Sequence, residues 1–412
     1  MHRRVHNERP IAFPARDDAP VGQPYGVLMI QPISAGVLVS MVGYASTFAV
    51  VLKGYEAVGA THEQAASGLL VLLVVKGLVA IGLGRATRMP IAIAWSTPGA
   101  VLLIATAAPA GGYTVAVGAY LTAAALIVAA GLWRPFGRAV AGIPPALASA
   151  MLAGILFGLC TAPVRAAAAL PTLALPVIVV WAVALRVARS YAVPIAVALT
   201  IAIVAVATPL PTDALANLAP HPVLVPPTFS LDATIGIALP LFIVTMASQN
   251  VPGLAVLQAN GYQPAIGPIF VTTGLASGLI SLFGGHTINL AAITAALCAG
   301  PEAGPDPARR WIASVASGLS YIALGLLSGF AAAFVAASPP LLIESVAGLA
   351  LLGSLASSLA AALGSDDERL PAIATFVVAA SGVTIAGIGA AFWGLVAGGV
   401  LRLLLRARFS RA

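Results

Sequence analysis

"AWSTPGAVLLIATA", residues 94–107, decides how this chain is read. It lies inside an apolar segment, yet Trp95, Ser96, Thr97, Pro98 and Gly99 put hydroxyls, a residue without an N–H and a flexible residue where a lipid-facing helix takes Leu or Val. If residues 90–95 run extended and a half-helix begins near Ser96 or Thr97, Pro98 falls in the first helical turn, where its missing N–H costs nothing. A Ser or Thr cap and an open helix N-terminus then point into the middle of the protein.

The surroundings of that break are membrane-spanning. Of 412 residues, 60% are hydrophobic and 8% charged, against roughly 25% charged in soluble domains. Apolar runs of about 17 to 25 residues recur from Val27 to Leu405, each long enough to cross a bilayer as a helix. Fourteen spans are expected: 27–52, 66–84, 90–108, 113–132, 140–160, 172–188 and 191–208, then 235–258, 265–282, 284–300, 311–335, 339–363, 370–382 and 384–404. They leave a polar tail over residues 1–26 and a linker over 209–234. The tail lacks the short apolar region and small-residue cleavage site of a signal peptide. Cys160 and Cys298 sit in or beside apolar segments and read as small core residues.

Of the twenty basic residues, all but Lys53, Arg165 and Lys76 fall on one side when the N-terminus is inside. Lys and Arg accumulate in cytoplasmic loops, so both termini are expected in the cytoplasm and the linker in the periplasm. The net charge of +7 is a topology signal with no nucleic-acid footprint.

The chain also repeats itself. "PPALASAMLAG" from Pro144 is echoed by "PPLLIESVAG" from Pro339, 195 residues later, and "STPGAVLLIAT" from Ser96 more weakly by "HTINLAAITAA" from His286, 190 residues later. Seven spans per repeat is odd, so the second copy enters from the opposite side, the inverted-repeat construction of secondary transporters. The expected fold is an all-α polytopic protein of two inverted seven-segment repeats, 27–208 and 235–405, with short extended stretches before half-helices in segments 3 and 10. In "FGGHTIN", Phe283 to Asn289, two glycines permit an irregular approach to a second half-helix begun by His286, Thr287 and Asn289. Two helix N-termini facing each other suit an anion such as a carboxylate.

Three stretches carry a resemblance to a known family: "GYAST" at Gly43, "TMASQNVPGLAVLQANGY" from Thr245 to Tyr262, and "FGGHTINLAAITAA" from Phe283 to Ala296. With them the chain, from about Tyr25 to Leu405, resembles the BenE family of benzoate:proton symporters. The resemblance implies the fold of uracil and sulfate transporters, with a core domain of segments 1–4 and 8–11 moving against a gate domain of segments 5–7 and 12–14. It also implies import of benzoate or a related aromatic carboxylate with protons across a bacterial inner membrane.

Each candidate residue carries two readings. Ser96 and Thr97 bind substrate or cap a kink. Gln249 and Asn250 precede Pro252 midway along span 8, where they contact substrate or satisfy unwound backbone. Tyr44, Ser46 and Thr47 occupy the matching place in span 1, although hydroxyls also bond within membrane helices. Trp95 stacks on an aromatic substrate or anchors at the interface. Intramembrane ionisable groups are scarce and mark function. His286 lies at the proposed anion site with Thr287 and Asn289; it is a satisfied core histidine or, protonated, adds a donor and a charge there, which makes it the first candidate for proton coupling. Glu344 in span 12 is a gate-domain proton site, the second candidate, or a structural hydrogen-bonding residue. Lys76 in span 2 neutralises a carboxylate, or else reaches a backbone carbonyl or a water-filled crevice.

Enzymatic function is not expected: the spans hold no HExxH and no GxSxG, and no cofactor or metal site is indicated. A channel-like facilitator and an anion exchanger are the alternatives to symport. "GILFG" from Gly154, "GLASG" from Gly274, "GLLSG" from Gly325 and "GLVAG" from Gly394 permit close helix approach, within the protomer or in a homodimer.

Overall fold

The computed structural model describes residues 25–106, 108–133, 135, 144–207, 220–291, 294–385 and 389–409. The expected tail up to residue 24, much of the linker, and Arg134 and Arg138, expected on the cytoplasmic side, lie outside the described residues.

The first half runs α1 (Tyr25–Ala57), α2 (His62–Thr87), a strand β1 (Ile93–Trp95), a short helix α3 (Thr97–Ile104), α4 (Tyr113–Leu132), α5 (Pro145–Cys160), α6 (Ala162–Ala169), α7 (Pro171–Val187) and α8 (Ala192–Ala207). The second half follows the same order: α9 (Leu231–Ala259), α10 (Ile266–Ser281), β2 (Ile288–Leu290), α11 (Ala295–Ala299), α12 (Trp311–Gly325), α13 (Ser328–Ala337), α14 (Pro340–Ala362), α15 (Arg369–Ala380) and α16 (Ala390–Phe409). Among the described residues, six helices are long and apolar enough to cross a bilayer, and the α12–α13 pair adds a seventh candidate. That pair bends by 57°, so the expected single span 311–335 is broken. The break follows Gly325, a residue type at which helices kink sharply.

Local sequence accounts for the helix boundaries. α2 opens on a capping box, the Thr61 hydroxyl accepting from Gln64 N–H while the Gln64 side chain accepts from Thr61 N–H. It ends where Arg88 adopts left-handed backbone at φ 55°. α3 starts as the sequence predicts: Ser96 is the cap, its Oγ accepting from Gly99 N–H at 3.1 Å, with Pro98 in the first turn. β1 to β2 and α5 to α14 are both 195 residues apart, matching the Pro-Pro repeat.

α9 departs from expectation. Unwound backbone is expected before Pro252, but the helix continues through π-helical turns at Thr234–Ala238 and Met246–Asn250. Each turn ends two residues before a proline, Pro240 and Pro252. A proline ring inside an α-helix clashes with the carbonyl four residues back, and a π turn makes room for it. Val251 N–H accordingly reaches Met246 O, five residues back.

The helices pair as α2 with α12, α4 with α10 and α5 with α14 and α15. α2 and α12 meet backbone to backbone: a Cβ on Gly77 would stand 2.5 Å from the Gly318 carbonyl, and one on Gly318 would stand 2.5 Å from the Gly77 carbonyl. Gly318→Val should therefore cost about 1–3 kcal/mol by overpacking, read as a lowered melting temperature in detergent. Gly154, Gly274, Gly325 and Gly394 all pack against neighbouring helices of the same protomer. The outer faces carry exposed Val179, Val183, Leu275, Leu319 and Leu403, as lipid-facing helices require.

Candidate functional site

The site is built where β1 and β2 cross. They pair antiparallel, Ile93 with Leu290, Ala94 with Asn289 and Trp95 with Ile288. The ladder extends by Ala291 N–H to Ala92 O at 2.9 Å and Ser96 N–H to Thr287 O at 3.0 Å. This corrects the expectation for the second copy: His286, Thr287 and Asn289 do not begin a half-helix. They belong to the extended segment, and α11 starts only at Ala295. The extended chain persists because its donors are taken. Ile288 N–H goes to Ser277 Oγ at 2.9 Å and Leu290 N–H to Asn250 Oδ1 at 2.9 Å. The 195-residue register, which sets Ser96 against Ala291, describes the strands; the 190-residue register does not. Among the described residues, α3 alone presents its N-terminus at the expected position.

What faces α3 instead is a buried polar network. His286 Nε2 donates to Ser96 O at 2.9 Å, while His286 Nδ1 and the Tyr55 hydroxyl are 2.8 Å apart. The same hydroxyl accepts from His286 N–H at 3.1 Å. A carbonyl only accepts, so Nε2 carries the proton and Nδ1 accepts from Tyr55. Ser96 Oγ lies 2.7 Å from Thr245 Oγ1, which is 3.3 Å from Thr287 Oγ1. Ser96, Thr245, His286 and Thr287 are all buried, and Thr97 is half-buried in the first turn of α3. Thr245→Val would remove the hydroxyl joining the two strand ends. A stability loss of about 0.5–1.5 kcal/mol is expected, measurable against Thr122→Val, whose hydroxyl bonds only to Gly118 O within α4.

Beside this network runs an aromatic wall. Trp95 is buried, which excludes an interfacial anchor, and its Nε1 donates to Thr47 Oγ1 at 2.9 Å. Tyr44 stacks on Phe48 with centroids 5.1 Å apart; Trp95 is 6.3 Å from Tyr44 and 6.4 Å from Tyr321. The Lys76 ammonium lies 3.8 Å from the centre of the Trp95 ring and 3.3 Å from that of Tyr321, so among the described residues it reaches ring faces and no carbonyl. Ser46 Oγ bonds to Val42 O at 2.5 Å within α1.

Of the α9 pair, Asn250 is buried and holds the β2 backbone, with its Nδ2 3.1 Å from Met246 Sδ. Gln249 is half-buried in the π turn. Asn289 Nδ2 donates to Leu290 O at 2.7 Å, leaving Oδ1 buried without a partner among the described residues.

A cavity of about 310 Å³ is lined by Lys53, Glu56 and Ala57 of α1, Ile104, Leu159, Ile343, Glu344 and Ala347 among others. A pocket of about 10 Å³ beside Ser46, Phe48, Thr200 and Phe334 shares Ala49, Ile343 and Ala347 with it. Together they follow one face of α1 from Ala57 to Ala45. Lys53 pairs with Glu56 at 3.0 Å, and Glu344 is 3.5 Å from Arg165. Glu344 therefore stands in a charged mouth, apart from the His286 network. No cluster of three metal-ligating side chains occurs among the described residues.

Tyr55, Thr245 and Tyr321 were not singled out by sequence reasoning. Thr245 opens one of the quoted motifs, but nothing local marks Tyr55 or Tyr321, whose partners lie far along the chain.

The comparisons with known proteins fit this architecture. The family profile described as BenE, benzoate membrane transport protein, matches residues 27–404. Inner membrane protein YdcO of Escherichia coli is 40% identical over 90% of this chain and 95% of its own. The benzoate membrane transport protein of Acinetobacter baylyi is 32% identical over 88% and 92%. Among solved structures, the murine anion transporter Slc26a9 in its inward-facing state gives a TM-score of 0.60 at 14% identity, covering 92% of this chain and 68% of that one. The transmembrane domain of the cyanobacterial bicarbonate transporter BicA gives 0.57 at 14% identity, over 90% and 98%.

Proposed function

Because the chain belongs to the BenE family of benzoate membrane transport proteins, a multi-pass membrane transporter with the fold of Slc26a9 and BicA, we propose that it imports benzoate or a related aromatic carboxylate together with a proton by alternating access. The observation that carries this reading is the pair of neighbouring cavities along α1, one at Lys53 and Glu344 and a small one at Ser46 and Phe48, where the aromatic wall begins. The substrate-binding set is Tyr44, Ser46, Trp95, Ser96, Thr97, Gln249, Asn250, His286, Thr287 and Asn289.

The helix pairing supports a division in which α1–α4 with α9–α13 are the core and α5–α8 with α14–α16 the gate, and the larger cavity is lined by α1 and α3 on one side and α5 and α14 on the other. The antiparallel crossing of β1 and β2, with Ala94 and Asn289 paired at its centre and 195 residues apart, supports two inverted repeats of seven segments. Lys53 and Arg165 both stand at the charged mouth, which supports a periplasmic mouth and cytoplasmic termini in the inner membrane.

A proton is needed on physical grounds. A monovalent anion entering a cell that is negative inside works against about 2.3 kcal/mol per 100 mV, and one accompanying proton makes the step electroneutral. His286 is the carrier in this reading. Protonation makes Nδ1 a donor, so the Tyr55 hydroxyl must turn to accept from it and release its own hydrogen toward another acceptor. Glu344 is the second candidate. The protein catalyses no covalent chemistry in this account.

The test is thermal stabilisation of the purified protein by benzoate and benzamide. Benzoate should raise the melting temperature and the amide should not; equal stabilisation by both would remove the anion site.

A further inference from the structure

Two cations are buried among the described residues, and they are treated differently. Arg310 is met by carbonyls: its Nε donates to Gly304 O at 2.8 Å and an Nη to Ala299 O at 2.7 Å. Lys76, only 1% exposed, has neither a carboxylate nor a carbonyl on its ammonium among the described residues; it has the faces of Trp95 and Tyr321. Ring faces attract a cation, yet they do not replace the hydrogen bonds and charge pairing that an ammonium loses on leaving water. A buried ammonium is held by a counter-charge or else gives up its proton, and an arriving carboxylate supplies the counter-charge.

The placement is not incidental to the fold. Gly77, next to Lys76, and Gly318, one turn before Tyr321, are the pair that lets α2 and α12 touch backbone to backbone. That contact brings the Tyr321 ring within reach of the ammonium, while β1 brings Trp95 from the other side. From this charge the aromatic wall leads through Trp95 and Tyr44 to Phe48, which lines the small pocket along α1.

We propose that the Lys76 ammonium is the counter-charge for the carboxylate of the transported aromatic acid, and that the faces of Trp95 and Tyr321 hold it while the carrier is unloaded. The proposal rests on the reading of the protein as a carrier of aromatic carboxylates and names the group that selects the carboxylate. The substrate ring follows the ring faces of Phe48, Tyr44 and Trp95, and its carboxylate draws Lys76 off them. The arrangement also ties anion to proton: His286 bonds to the carbonyl of Ser96, the residue after Trp95, so a second positive charge there is opposed by Lys76 until an anion is present.

The experiment measures binding of benzoate and benzamide to the parent protein, Lys76→Met and Lys76→Arg, each checked for folding by size-exclusion profile and melting. The parent should prefer benzoate. Lys76→Met should bind benzoate roughly 10- to 150-fold more weakly, the range for a lost charged hydrogen bond, and lose its preference over benzamide; Lys76→Arg, which keeps the charge, should retain that preference. Benzoate, but not benzamide, should change the part of the parent's tryptophan emission that is missing in Trp95→Phe, because the ammonium leaves the ring. Parental benzoate affinity in a folded Lys76→Met overturns the proposal. So does an unmoved Trp95 emission at benzoate saturation, which decides the matter in the parent protein if Lys76→Met does not fold. A parent protein that binds no aromatic carboxylate fails the functional reading itself, and is recognised as such before any variant is made.

Discussion

In proteoliposomes, His286→Gln should bind benzoate yet lose the acceleration of uptake by an inward proton gradient. Glutamine can present an N–H to Ser96 O and a carbonyl to the Tyr55 hydroxyl, so it replaces both ring contacts made by His286 while removing the group that titrates. One pH unit across the membrane is worth about 1.4 kcal/mol, or about tenfold in accumulation for a one-proton symporter. That factor should fall to about one in the variant. Glu344→Gln should keep it, because Glu344 faces Arg165 in the charged mouth. The reverse outcome, coupling kept in His286→Gln and lost in Glu344→Gln, would move the proton to the gate.

The second large effect is expected at Asn250. Asn250→Leu keeps the size of a fully buried side chain but leaves the Leu290 N–H, in the middle of the protein, without its acceptor. An unsatisfied buried donor costs about 1–3 kcal/mol. Since Leu290 pairs with Ile93 at one end of the strand crossing, the loss should appear twice, as a lower melting temperature and as weaker benzoate binding. Thr122→Val, which removes a hydroxyl bonded to Gly118 O within α4, should change neither appreciably.

These two residues show what was legible in the sequence. Asn250 and His286 stand out because polar groups are scarce in apolar segments, but their partners are set by tertiary pairing. The break at Ser96 is legible because a cap, a proline and a glycine occur together and each has one favourable place at a helix start. "FGGHTIN" carries no such punctuation. Its conformation follows from donors captured by Ser277, Asn250 and Ala92, and no local signal announces that α11 waits until Ala295. Pro252 announces a disturbed helix, yet unwinding and a π turn leave the same mark in sequence. Lys76 reads as exceptional within span 2, but the rings that receive it come from β1 and α12, and only the fold brings them to one point. Glu344 stands out for the same reason as Lys76, and the structure sets it beside an arginine that belongs to a different helix.

The most direct measurement of the central claim is the steady-state accumulation of radiolabelled benzoate in proteoliposomes of the parent protein, with and without an inward proton gradient. Benzoate should accumulate above the external concentration, by about tenfold more per pH unit, and the accumulation should collapse when a protonophore is added. Uptake that only equilibrates, at the same level with and without the gradient, would contradict proton-coupled import and leave a passive facilitator or an exchanger.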